Sequence, residues 1–340
     1  MARSEITIDL GALRRNVKTL LRALDGSELW AVVKADAYGH GAVECAGAAL
    51  GAGATALCVA TVGEALPLRA EYPSARILVM GPASNREVGQ AREAQIALVV
   101  SSDEIPEGLP VHVKLDTGMG RWGVSELPAL TREVVGVMSH LATADTDAAY
   151  TQWQIDRFRA ATEPVSHLAR HIANSAGALR YPDSHFDAAR CGIALYGLSP
   201  FGSDPTEDGL EPVLSWSSEL SLSKLVRAGE SVGYGRRFVA ESDTWIGIVP
   251  VGYADGFRRD LTGTEVRVGG ERRKVVGAVS MDATAVELDR ELPPGTPVTI
   301  VGAGLPLEEH ARVAGTITYE LACHINSTSQ RARRVVLDST

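Results

Sequence analysis

Eight short apolar runs alternate with longer stretches rich in Ala, Leu, Glu and Arg over the first two-thirds of the chain, and this alternation most limits the fold. The runs lie at Leu29–Val33, Ala56–Ala60, Ile77–Met80, Ile96–Val100, Val111–Leu115, Val134–Ser139, His171–Ala173 and Phe186–Arg190. Helical patterns fill most of the intervals, as at Ala42–Leu50, Val62–Glu71 and Tyr150–Ala161. Strands that alternate with helices must pair in parallel, because each helix carries the chain back to the same end of the sheet. Eight such units predict a (β/α)8 barrel of the TIM type. The last two runs are weakly marked, so an open doubly wound sheet is the alternative.

After Pro200 the pattern changes. A stretch rich in Gly, Asp and Pro, Phe201–Glu211, reads as a linker. Beyond it, β-type runs punctuated by Gly, Pro and Asp occur at Ser215–Val226, Thr244–Val251, Glu265–Val268, Lys274–Val279, Thr284–Leu288 and Pro297–Val301. This predicts an all-β C-terminal domain over 212–340. The alternating run Glu5–Asp9 joins it from the other end of the chain, so that 1–9 belongs with it and the barrel spans 10–205.

Composition excludes several classes of function. A net charge of −9 argues against nucleic acid or an anionic membrane as partner. No apolar stretch is long enough to span a bilayer, and the N-terminal residues carry no basic-then-apolar signal. The four cysteines, Cys45, Cys58, Cys191 and Cys323, make no CxxC pair and read as reduced thiols of a cytoplasmic protein. No Asp, Glu or His cluster has metal-ligand spacing, so no metal is expected.

In a barrel of this kind, chemistry gathers where strands end. Strand one ends in Lys34. Strand five gives Lys114 and Asp116, then a loop to Arg121. Strand six ends at His140, strand seven leads into Asn174-Ser175, and strand eight ends at Arg190 before Gly192-Ile193. Any one of these could be an ordinary polar loop residue. Together they describe a cationic, metal-free rim suited to a small anion carrying a phosphate and a carboxylate. Backbone N–H groups near Ser175 and Gly192-Ile193 are placed to cradle phosphate oxygens. Lys34 reads either as a solvated charge or, in a desolvated cationic pocket, as an amine free to attack an aldehyde.

The run Val32-Val33-Lys34-Ala35-Asp36-Ala37-Tyr38-Gly39-His40-Gly41 closely resembles the cofactor-attachment signature of alanine racemases. The resemblance continues in order along essentially the whole chain. It takes in Lys114-Leu115-Asp116-Thr117-Gly118-Met119-Gly120-Arg121, Ser139-His140-Leu141, Ala173-Asn174-Ser175 and Arg190-Cys191-Gly192-Ile193. In the β domain it includes Val232-Gly233-Tyr234-Gly235, Gly252-Tyr253-Ala254-Asp255 and Ser280-Met281-Asp282, where Ser280 stands in place of the cysteine common in the family.

The resemblance implies a pyridoxal-phosphate-dependent racemase that interconverts L- and D-alanine and supplies D-alanine for peptidoglycan. It implies a head-to-tail homodimer in which the β domain of each subunit completes the other's active site. Lys34 would attach the cofactor. Tyr38, Asn174, Ser175, Gly192, Ile193 and Tyr319 would hold it, and Arg190 would face the pyridine nitrogen. Tyr234 of the second subunit would be the second base, linked through His140 to Arg190. Arg121 and the Met281 backbone would bind the substrate carboxylate, Tyr253 would narrow the entrance, and Lys114 matches a position often carbamylated. A racemase of serine or broad specificity keeps the same chemistry and is the nearest alternative. A barrel-type decarboxylase is disfavoured by Arg190, because an acidic residue stands there in those enzymes. A non-catalytic regulator is disfavoured by the presence of the β domain.

Overall fold

The structure is a computed structural model and describes residues 3–328 and 330–338. The chain separates into two compact units. One consists of Ala12–Phe201 with Pro205–Glu211, the other of Met1–Gly11, Gly202–Asp204 and Pro212–Thr340.

In the first unit eight parallel strands lie side by side in the order Ala169–His171, Val134–Met138, Val111–Lys114, Ala97–Val100, Arg76–Val79, Ala56–Val59, Glu28–Val32, Ala188–Cys191. The two end strands approach each other. Asp187 N–H donates to Arg170 O and Arg190 N–H to Ala173 O, both at 3.0 Å, which brings the sheet round into a barrel rather than leaving it open. Strands such as Ala56–Val59 and Val111–Lys114 are buried along their whole length, as expected where helices cover one face and the barrel interior the other. Helices Val62–Glu71 and Asn85–Glu93 each start on a capping box, Thr61 with Glu64 and Ser84 with Glu87. Loops, not helices, connect Val100 to Val111 and Lys114 to Val134.

The eighth strand is shifted from its sequence-based position of Phe186–Arg190 to Ala188–Cys191. Phe186 has φ 46°, which no strand residue adopts, and its ring packs edge-on against Phe158 at 5.0 Å. The seventh lies at Ala169–His171, two residues earlier than expected.

The second unit holds a nine-stranded sheet in the order Leu222–Val226, Thr244–Val249, Thr284–Leu288, Glu271–Val276, Glu265–Val268, Pro297–Val301, Leu214–Glu219, Ser4–Asp9, Arg333–Leu337. The N-terminal strand joins it as expected, antiparallel to Leu214–Glu219, and also pairs in parallel with Arg333–Leu337. The expected single run Ser215–Val226 is two strands. The alternation of buried and exposed residues breaks after Leu220, whose N–H turns to Thr296 O while Ser221 N–H turns to Ile248 O. Two short helices, Leu307–Ala314 and Thr318–His324, add to the β framework.

Candidate active site

Lys34 stands two residues beyond the first barrel strand, Glu28–Val32. The backbone that follows is unusual. Ala35, Asp36, Ala37 and Tyr38 have φ of 51°, 51°, 54° and 54°, a turn of left-handed helix built without glycine. Each such residue costs roughly 1–2 kcal/mol, and hydrogen bonds within and outside the turn hold it. Ala35 N–H donates to Glu64 Oε1 at 2.8 Å, Ala42 N–H to Asp36 Oδ1 at 2.7 Å, and Gly39 N–H to Ala35 O at 3.0 Å. Strain of this kind collects at functional sites. The turn leaves Tyr38 buried, with its ring 5.1 Å from that of Tyr196, whose hydroxyl donates to Val32 O at 2.7 Å.

Arg190, on the last barrel strand, is buried and its terminal nitrogens are fully engaged. Nη1 donates to His171 Nδ1 (2.6 Å) and His171 O (2.9 Å). Nη2 donates to Ser139 O (2.7 Å) and lies 3.2 Å from His140 Nδ1 and 3.3 Å from Ile172 O. The donor left for a ligand is therefore Nε–H. Burial lowers the guanidinium to about 10, which still leaves it protonated at neutral pH. Burial, followed by the charge on Arg190, pushes His140 and His171 well below the usual histidine range, so both are neutral.

Beside Arg190, Ser175 Oγ accepts from Gly192 N–H at 3.1 Å and Ala194 N–H at 3.4 Å, so Ser175, Gly192 and Ile193 share one corner. A Cβ on Gly192 would lie 2.4 Å from Tyr38 Oη, so only glycine lets the tyrosine close over this corner. Hydroxyls and backbone N–H groups meeting here, next to an ammonium and a buried guanidinium, fit a phosphate-bearing ring. Asn174 has another task. Its Oδ1 caps the helix Ser175–Arg180 by accepting from Gly177 N–H at 2.9 Å, and its Nδ2 donates to Leu141 O at 3.4 Å. Through these two bonds it helps to shape the corner.

Lys114, buried at the end of strand Val111–Lys114, is lowered to about 8 by burial and by the charges on Arg121, Arg190 and Lys34. The loop after it is shaped by Asp116, whose Oδ1 accepts from Gly118 N–H (2.9 Å) and Gly120 N–H (3.1 Å). It delivers Arg121 and Trp122. The Trp122 ring has the Lys114 ammonium 5.5 Å and the Arg121 guanidinium 5.2 Å from its centroid.

The barrel unit thus gathers Lys34, Tyr38, Lys114, Arg121, His140, Asn174, Ser175, Arg190, Gly192 and Ile193 at the strand ends. The remaining expected residues lie in the β unit. Tyr234 starts a short turn after Gly233 (φ 75°) and is 72 % exposed. Tyr253 and Met281 sit together, since Tyr253 N–H donates to Ser280 O and Ala254 N–H to Met281 O, both at 3.0 Å. Both side chains are exposed. Tyr319 lies half-buried on the helix Thr318–His324. Sequence reasoning missed Glu64, Tyr196, His171 and His112. For His112 a signal existed: it shares the inward face of its strand with Lys114, two residues on.

The sequence pattern described as "Alanine racemase, N-terminal domain" matches residues 8–200, and that described as "Alanine racemase, C-terminal domain" matches 213–335. Alanine racemase 1 of Bacillus subtilis (strain 168) is 42% identical, over 95% of this chain and 91% of its own. The crystal structure of alanine racemase from the D-cycloserine producer Streptomyces lavendulae superposes with a TM-score of 0.92 at 36% identity, covering 100% of this chain and 98% of that one. That from Bartonella henselae, with covalently bound pyridoxal phosphate, gives 0.90 at 28% identity, covering 98% and 99%.

Proposed function

The chain belongs to the alanine racemase family, and we propose that it interconverts L- and D-alanine with pyridoxal phosphate attached to Lys34 and a second copy of the chain completing each site. When bound, the cofactor supplies a conjugated electron-withdrawing ring that acidifies the substrate's Cα proton. All else falls to the protein. Tyr38, Ser175 and the backbone of Gly192 and Ile193 hold the phosphate, with Tyr319 a further candidate. Arg190 would offer its Nε–H to the ring nitrogen. Arg121 and the Met281 backbone of the second copy bind the carboxylate, and Tyr253 limits the size of what enters.

Racemisation needs a proton removed from one face and another returned to the opposite face. Lys34 Nζ moves the proton on one side. Tyr234 Oη, from the second copy, moves it on the other. A hydrogen-bonded chain from Tyr234 through His140 to Arg190, whose Nη2 lies 3.2 Å from His140 Nδ1, would orient the phenol for this task. The exposure of Tyr234 and Met281 (72 % and 51 %) supports a second copy covering them.

The observation that carries the racemase reading is Arg190 itself. A guanidinium can only donate, so with the cofactor bound Arg190 would offer a hydrogen bond to the ring nitrogen without handing over a proton, and so would restrain side reactions that an acid at this position would favour. The buried thiols Cys45, Cys58 and Cys191, which form no disulfide, suit a reducing cytoplasm, from which D-alanine would supply peptidoglycan. Among the described residues, no helix is long and apolar enough to cross a membrane and no cluster is placed to hold a metal ion.

The test is chiral chromatography of products from single L-amino acids with added pyridoxal phosphate. The reading predicts D-alanine as the dominant product, lost in Lys34→Ala. Dominant D-serine would move the specificity, and an amine with carbon dioxide would replace a racemase with a decarboxylase.

A further inference from the structure

Behind Arg190, away from the rim, two more histidines continue its contacts. His171 Nδ1 lies 2.6 Å from Arg190 Nη1, and His171 Nε2 lies 2.9 Å from His112 Nδ1. His171 is fully buried and His112 nearly so. Trp30 packs on both rings, at 4.4 Å and 5.6 Å between centroids. His112 in turn lines a cavity of about 340 Å³ with Trp30, Ala56, Arg76, Ala97 and Ala169. Ala56, Arg76, Ala97 and Ala169 open their strands, so this cavity is at the mouth of the barrel opposite Lys34.

Elementary chemistry gives this row a direction. A guanidinium has donors and no acceptor. His171 Nδ1 must therefore present its lone pair, which in a neutral ring puts the proton on Nε2. That proton can go only to His112 Nδ1, so His112 also carries its proton on Nε2. A protonated ring at either place would set donor against donor. Burial and the charge on Arg190 lower both histidines, His112 to about 3. The neighbouring strand makes room for the row. A Cβ at Gly136 would lie 2.2 Å from His112 Nδ1, the very atom that accepts.

We propose that His171 and His112 are positioning residues for the reaction, a one-way chain of hydrogen bonds that fixes the guanidinium of Arg190 so that Nε–H alone faces the cofactor. His171 takes up Nη1, and His112, by accepting the Nε2 proton, holds His171 in the tautomer that the guanidinium requires. The proposal rests on the role given to Arg190 above.

The direct test is NMR of protein labelled with nitrogen isotope at histidine, with and without cofactor. Both His171 and His112 should show a bare Nδ1 and a protonated Nε2 in either state. A protonated Nδ1 on His171 would overturn the proposal. The second test compares His112→Phe, which removes the acceptor, with His112→Gln, whose amide oxygen restores one. Misdirecting Arg190 should lower kcat about tenfold, as loss of an outer-shell partner commonly does, while KM for alanine barely moves because Arg121 is untouched. The share of turnovers ending in transamination should rise, and His112→Gln should recover most of the loss. Unchanged partition in His112→Phe, with Arg190→Lys altering it, would overturn the histidine chain alone. If neither variant alters it, the role of Arg190 falls and the proposal with it.

Discussion

Glu64 grips the left-handed turn that follows Lys34: its Oε1 accepts the Ala35 N–H at 2.8 Å, while Oε2 accepts those of Ala60 and Thr61 at 2.8 Å and 3.1 Å. One carboxylate thus caps a helix and pins a backbone that is costly on its own. Replacing it should release both. Glu64→Ala is expected to lose about 2–3 kcal/mol of stability, the scale of hydrogen bonds to a charged acceptor, and to weaken cofactor retention. Thermal unfolding and cofactor absorbance after dialysis measure the two effects; an unchanged melt would show that the turn holds itself.

Lys114 makes stability depend on pH in an unusual direction for a cation. It is held at about 8 against an ordinary 10.5, so between these values the unfolded chain binds a proton that the folded chain has released. Stability from this residue therefore rises with pH across that window and is lowest below it. The neutral amine is also the form that takes up carbon dioxide, giving a carbamate that would turn a buried cation among cations into an anion facing Arg121. Isotopically labelled bicarbonate should yield a carbamate NMR signal that grows as pH rises through about 8 and is absent from Lys114→Met. A signal retained in that variant would place the carbamate elsewhere.

Arg190→Glu would put a carboxyl, able to hand over its proton and then accept an N–H, where a guanidinium can only donate. With the cofactor bound, that carboxyl would keep a proton at the ring nitrogen, the restraint that Arg190 supplies would be lost, and side reactions would gain ground. The ratio of pyruvate to D-alanine formed per turnover should rise. An unchanged ratio would mean that Arg190 does not set the electronics of the site.

Much of this was legible in the sequence, for identifiable reasons. Barrel strands are buried on both faces, so they appear as continuous apolar runs, and the charged and small residues of the proposed site close or follow five of those eight runs. What was not legible depends on conformation or on distant pairs. Ala35 and Ala37 have no preference for positive φ, and one of the bonds that hold the turn comes from Glu64, 29 residues on. The His112–His171 contact spans 59 residues. The break at Leu220 arises because two different strands claim consecutive N–H groups, which a single alternating run cannot reveal. Asn174 also caps the helix Ser175–Arg180, a role its residue type serves equally well and that the expectation of a cofactor contact did not foresee.

Two bases on opposite faces leave a signature in isotope exchange. In deuterated water, Tyr234→Phe should lose exchange of the Cα proton from one enantiomer of alanine and keep it from the other. Equal residual exchange from both would argue against separate bases.

The claim that each site is built from Lys34 of one chain and Tyr234 of another has a direct test. Lys34→Ala and Tyr234→Phe subunits, each inactive alone, are co-expressed with different affinity tags and the mixed dimer is isolated. If the sites are shared, one site of that dimer carries both lesions and the other none, so it should show about half the wild-type activity. A mixed dimer as inactive as its parents would place Lys34 and Tyr234 in the same chain's site and contradict the account.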